Sequence, residues 1–150
     1  MKKERIIHPT LETFKEMAGQ GTIIPVYAEI LADMDTPVSA YKKLGAHDYS
    51  FLLESMEGGE KWARYSFIGF EPALIFRSKG TTAELIRDGV VIRRFESADP
   101  LGLLHEIMQE YVPVENPALP RFFGGAVGYL SYDMVRFIER LPAQATDDLS

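Results

Sequence analysis

Apolar positions are densest over residues 49–69. Tyr49-Ser50-Phe51-Leu52-Leu53-Glu54-Ser55 and Trp62-Ala63-Arg64-Tyr65-Ser66-Phe67-Ile68-Gly69 are both rich in aromatic and branched side chains. Residues 56–61, between them, hold two glycines and three charges. That pattern predicts two strands joined by a loop, paired antiparallel. The first strand runs from apolar Phe51-Leu52-Leu53 straight into Glu54-Ser55 before any turn residue appears. A carboxylate and a hydroxyl at the mouth of a strand can hold a small polar ligand, the carboxylate suiting an ammonium group. The plainer reading is a strand surfacing into solvent, and the residues by themselves favour it.

Elsewhere the spacing alternates between helix and strand. Leu11, Phe14 and Met17-Ala18 recur at helical intervals, with Thr10 and Thr13 at the start and Gly19-Gln20-Gly21 as the stop. Residues 22–32 read as extended, and Pro25 confines that strand to an edge. Thr36-Pro37 is a capping hydroxyl followed by proline at the first helical position, predicting a helix over 38–44 that ends at Gly45. Residues 72–78, 81–87 and 90–95 read as strands, the last two joined by a tight Asp88-Gly89 turn. Asp99-Pro100 repeats the cap-then-proline device and starts a helix through Leu101, Leu104, Ile107, Met108 and Tyr111. Three prolines make 112–120 a connecting loop. Residues 122–131 read as a glycine-containing strand and 132–140 as a helix. Hairpins set between helices point to an α+β fold, a mostly antiparallel β-sheet with a few flanking helices.

Composition narrows the function classes. The 150 residues are 46% hydrophobic and 25% charged, enough for one ordinary domain burying roughly 70% of its unfolded surface. A net charge of −6 argues against nucleic acid or an anionic membrane as partner. Cysteine is absent, which removes disulfides, thiolate zinc sites and cysteine nucleophiles. Only Ile6-Ile7 follows the basic Lys2-Lys3-Glu4-Arg5 before His8-Pro9, too little for a signal peptide or span, so the expected location is the cytoplasm.

Candidate chemistry is sparse. Gly124-Gly125-Ala126-Val127-Gly128 lacks the dinucleotide spacing, and no P-loop lysine follows it; glycine in an apolar strand more often permits close backbone packing. His8, His47 and His105 are scattered, without carboxylate spacing for a metal site. Asp33, Asp35, Asp147 and Asp148 sit in expected loops as solvated acids. The residues therefore describe a ligand-capable α+β domain with no catalytic group and no metal ligand.

The ordered motifs Pro37-Val38-Ser39-Ala40-Tyr41, Phe51-Leu52-Leu53-Glu54-Ser55, Arg64-Tyr65-Ser66-Phe67-Ile68-Gly69 and Phe122-Phe123-Gly124-Gly125-Ala126-Val127-Gly128-Tyr129, with Tyr132-Asp133 and Glu139-Arg140-Leu141-Pro142, add a resemblance. Together they resemble the N-terminal region of anthranilate synthase component I. The large subunit of aminodeoxychorismate synthase, in the folate branch, shares the Arg-Tyr-Ser and Gly-Gly-x-x-Gly-Tyr elements. The full Leu-Leu-Glu-Ser run tilts the resemblance to anthranilate synthase. It implies that residues 1–150 are the N-terminal, regulatory part of a lyase subunit that converts chorismate to anthranilate and pyruvate. It further implies magnesium, ammonia from a glutamine amidotransferase subunit, and feedback inhibition by L-tryptophan. By resemblance Leu53, Glu54 and Ser55 form half of the tryptophan pocket, with Arg64 as a supporting candidate. The catalytic chorismate-binding domain and the magnesium ligands are expected outside this chain, leaving the 150 residues inactive alone. A stand-alone small-molecule-binding domain is the reading from a different class.

Overall fold

The computed structural model describes residues 6–54 and 65–142. In order, the elements are helices α1 (Leu11–Met17) and α2 (Pro37–Leu44), strands β1 (Ser50–Glu54), β2 (Ser66–Phe70), β3 (Ile75–Lys79), β4 (Thr82–Arg87) and β5 (Val90–Glu96), helix α3 (Pro100–Gln109), and a short 3-10 helix, Tyr132–Phe137. Antiparallel β1–β2 makes a two-stranded ribbon, and β3-β4-β5 makes a three-stranded antiparallel sheet. The α+β architecture expected from the sequence is the one observed.

Helix starts follow local chemistry. The Thr36 hydroxyl accepts from Ser39 N–H at 3.1 Å while the Ser39 hydroxyl accepts from Thr36 N–H at 2.9 Å, a reciprocal capping box with Pro37 at the first helical position. Asp99 caps α3 by accepting from Gly102 N–H at 2.8 Å, and Thr10 caps α1 through Thr13 N–H at 3.3 Å. β4 and β5 are joined by Asp88 (φ 50°) and Gly89 (φ 75°). Two successive left-handed residues give the turn twist that adjacent antiparallel strands require.

The chain divides into two units, one built on Val26–Arg77 and Glu84–Arg94, the other on Pro9–Pro25, Ser78–Ala83 and the chain from Phe95 onward. In the first, α2 packs on β1 and β2, and Leu85 and Ile86 of the central strand β4 are buried. In the second, Ala83, Ile107 and Val114 are buried beside Pro100. That unit is fastened by Thr22. Its hydroxyl donates to the Glu110 carbonyl at 3.0 Å and accepts from Val112 N–H at 2.7 Å, and Thr22 N–H donates to the Val112 carbonyl at 2.8 Å. Gly21 permits this approach, since a β-carbon there would lie 2.5 Å from the Val112 carbonyl oxygen.

Three expected elements differ. Residues 22–32 form only isolated bridges, Ile23 with Pro113 and, through Tyr27, with His8. Pro25 cannot donate, so no continuous ladder forms there. Residues 122–131 form no strand, because a strand exists only where a neighbouring edge satisfies its backbone. The helix expected over 132–140 is a 3-10 helix ending at Phe137, with no side-chain cap at Ser131. Trp62, Ala63 and Arg64 of the second predicted strand, and Ser55 of the first, lie outside the described residues.

Candidate effector site at the end of β1

The β1–β2 register places every side chain of the ribbon. Ser50 faces Phe70, Phe51 faces Gly69, Leu52 faces Ile68, Leu53 faces Phe67 and Glu54 faces Ser66. Alternation puts Ser50, Leu52, Glu54, Ser66, Ile68 and Phe70 on one face. Phe51, Leu53, Phe67 and Tyr65 share the other. The Phe51 ring lies directly over Gly69, the one position opposite it that has no side chain to exclude the ring. On the first face the Tyr41 hydroxyl of α2 meets Ser50 Oγ at 2.7 Å, so the helix sits at the Ser50 end. At the other end of the strand Leu53 and Glu54 are exposed.

Of the four effector residues expected from the resemblance, the described residues include Leu53 and Glu54; Ser55 and Arg64 lie outside them. Leu53 is 46% exposed and Glu54 is exposed beside it. The two project to opposite faces, so a single small ligand touches both only by wrapping the strand end. Motif reading missed Tyr65 and Phe67. Their rings pack with centroids 6.1 Å apart and tilted by 30°, and Tyr65 is 50% exposed. Period-two alternation carries them onto the Leu53 face once the register is known. The strand end thus offers an apolar, partly aromatic wall on one side and a carboxylate at the corner.

A concavity lies beyond the Ser50 end of the ribbon. A cleft of about 610 Å³ is floored by Ile75, Ile86 and Val91 and rimmed by Asp48, Glu71 and Asp88. Its cation, Arg77, donates to Glu84 Oε2 at 2.7 Å, and Arg94 Nε stands 3.0 Å from the other oxygen of that carboxylate. The Arg77 hydrogen bond holds the Glu84 carboxyl below its ordinary range and raises the guanidinium in return. Arg77 is therefore engaged by Glu84 rather than directed at a ligand.

The histidines are held locally. His47 Nε2 lies 3.0 Å from the Leu44 carbonyl and its Nδ1 3.7 Å from Glu71, while the His8 ring stacks on Tyr27 at 5.4 Å and His105 meets Gln109 at 2.9 Å. Among the described residues no group of three or more histidine, aspartate or glutamate side chains could hold a metal ion, and no helix is long and apolar enough to cross a membrane.

The described residues thus form an α+β segment whose first ribbon strand ends in an exposed leucine and an exposed carboxylate. Sequence comparison carries this to particular relatives. Anthranilate synthase component 1 of Acetivibrio thermocellus is 45% identical over 145 residues, 96% of this chain and 29% of that protein. The proteins of the same name from Pseudomonas aeruginosa and Aquifex aeolicus are 45% and 38% identical over 86% and 93% of this chain. The resemblance read from the motifs holds over nearly the whole chain. The chain spans between a quarter and a third of the length of these relatives. No family model matches it, and no solved structure does.

Proposed function

We propose that this chain is the N-terminal part of anthranilate synthase component 1, in tryptophan biosynthesis, and that the exposed Leu53-Glu54 end of β1 supplies one wall of a site for the inhibitor L-tryptophan. The observation that carries the reading is the 45% identity over 145 residues, within which Leu53 and Glu54 stand exposed at a strand end. An indole has its natural place against Leu53, Phe67 and Tyr65, and an ammonium group reaches Glu54 around the corner of the strand. Ser55 would add a hydrogen bond, and Arg64 would support the carboxylate end or an ion pair. The whole subunit would convert chorismate to anthranilate and pyruvate in the cytoplasm, using ammonia from a glutamine amidotransferase subunit. Magnesium would supply charge neutralisation on the substrate. By the resemblance, its ligands, like the chorismate-binding groups, would lie in the rest of the subunit.

A stand-alone binding domain fits less well. Ala83, Leu85, Ile86, Ile107 and Val114, with Pro100, are the buried apolar side chains among the described residues, a small core for an independent domain.

The test measures anthranilate formation by the full-length subunit, with its amidotransferase partner, against tryptophan concentration. Glu54→Gln and Ser55→Leu are each expected to weaken inhibition at least tenfold, the equivalent of about 1.4 kcal/mol of binding. Unchanged inhibition in both variants removes the strand end from the site. A parent insensitive to tryptophan that makes aminodeoxychorismate moves the chain to the folate-branch enzyme. The 150 residues alone are expected to form no anthranilate, and turnover above a chorismate blank would overturn that.

A further inference from the structure

Residues 122–130 read Phe-Phe-Gly-Gly-Ala-Val-Gly-Tyr-Leu, without a charge or a proline, between Arg121 and Asp133. Such a run has the composition of a buried strand. Yet residues 123–130 make no hydrogen bond with any described residue, and they belong to no helix or strand. Their side chains stand in water: Tyr129 is 93% exposed and Leu130 63%, with Phe123 and Val127 also exposed.

The glycines make a second, independent point. Glycine within an apolar strand normally marks a close approach of another backbone. A β-carbon built on Gly124 or Gly128 meets nothing within 4 Å. The room those two residues leave is therefore not used by any described residue.

We propose that residues 123–130 are an interaction strand, which pairs by backbone hydrogen bonds with a sheet edge in the part of the subunit outside these 150 residues. This rests on the reading of the chain as part of a longer component 1 subunit. The relatives are more than three times as long as the region they share with this chain, so most of such a subunit lies elsewhere. An edge on the same polypeptide is present at the millimolar effective concentration of a tethered partner, which a second copy reaches only at high protein concentration. Pairing in this way satisfies the free backbone groups, covers Phe123, Val127 and Leu130, and seats the partner backbone over Gly124 and Gly128.

Hydrogen–deuterium exchange on the full-length subunit tests it, followed on the peptide spanning 122–131 at several protein concentrations. Exchange at least roughly a hundredfold slower than in an unstructured peptide, independent of concentration, is the expected result, as for strands in a cooperative sheet. Free exchange overturns the proposal, and so does protection that grows with concentration in step with dimer formation, which assigns the strand to a second copy. Gly128→Val is expected to lose that protection and lower Tm; unchanged exchange and Tm overturn the close approach. A subunit inhibited by tryptophan through Glu54 but freely exchanging at 123–130 sinks this inference and leaves the functional reading standing. Protection in a subunit that makes no anthranilate does the reverse.

Discussion

The hydroxyl of Tyr41 stands 2.7 Å from Ser50 Oγ, and the Ser50 hydroxyl also reaches the His47 carbonyl at 3.3 Å. One part-buried serine thus ties α2 to the first residue of β1. Tyr41→Phe keeps the ring and removes the bond. It is expected to lower stability by about 1 kcal/mol, measured by denaturant unfolding with an unchanged m-value. A variant as stable as the parent would show that the bond exchanges evenly with water.

Gly69 and Phe51 make a sharper test, because propensity and packing predict opposite signs. Alanine suits a strand better than glycine, but its β-carbon would occupy the space of the Phe51 ring. Gly69→Ala is expected to destabilise by about 1–2 kcal/mol, and Phe51→Leu in the same chain to recover part of that. The double-mutant cycle reads the coupling. Additive effects would place the ring elsewhere.

Asp99 caps α3 and is itself held by Ser97, whose hydroxyl accepts from Asp99 N–H at 3.0 Å. Asp99→Ala is expected to cost about 1 kcal/mol, and Asp99→Asn much less, since asparagine still accepts from Gly102 N–H. Equal losses in both would point to the charge rather than the cap.

Glu84 sets an acid limb on stability. Its carboxyl is held below the ordinary range, first by the Arg77 hydrogen bond and then by the Arg77 and Arg94 charges. A depressed acid contributes stability that is complete above its unfolded value, about 4.3, and is lost as pH falls through the lower folded value. Unfolding followed from pH 6 downward should therefore show a decline below about pH 4.3 that is shallower in Glu84→Gln. Both arginines are largely exposed, so added salt should shrink the difference between parent and variant. Identical acid limbs would rule Glu84 out as their source.

Local chemistry was readable in advance where it was self-contained. Thr36-Pro37, Asp99-Pro100 and Asp88-Gly89 each carry their own hydrogen bonds or dihedral preference within four residues, and each forms the expected cap or turn. Segments whose partners lie far along the chain were not readable. Residues 22–32 and 122–131 have strand composition, but composition does not say where an edge will stand. The candidate site divides the same way. Leu53 and Glu54 emerge at a strand end as their motif implied, whereas Tyr65 and Phe67 join Leu53 only through a register that no single strand reveals.

Thr22 is bonded to Glu110 and Val112, across 88 and 90 positions of sequence. Contacts of such high order cannot form early. During translation, Pro9–Pro25 leaves the ribosome well before its partners exist, and at roughly 5–20 residues per second the wait is roughly 5–18 s. Throughout that interval Ile23 lacks its bridge to Pro113 and α1 has no finished unit to join. The nascent Pro9–Pro25 segment therefore stays exposed until those partners emerge, and slowing synthesis before codon 112 would lengthen that exposure.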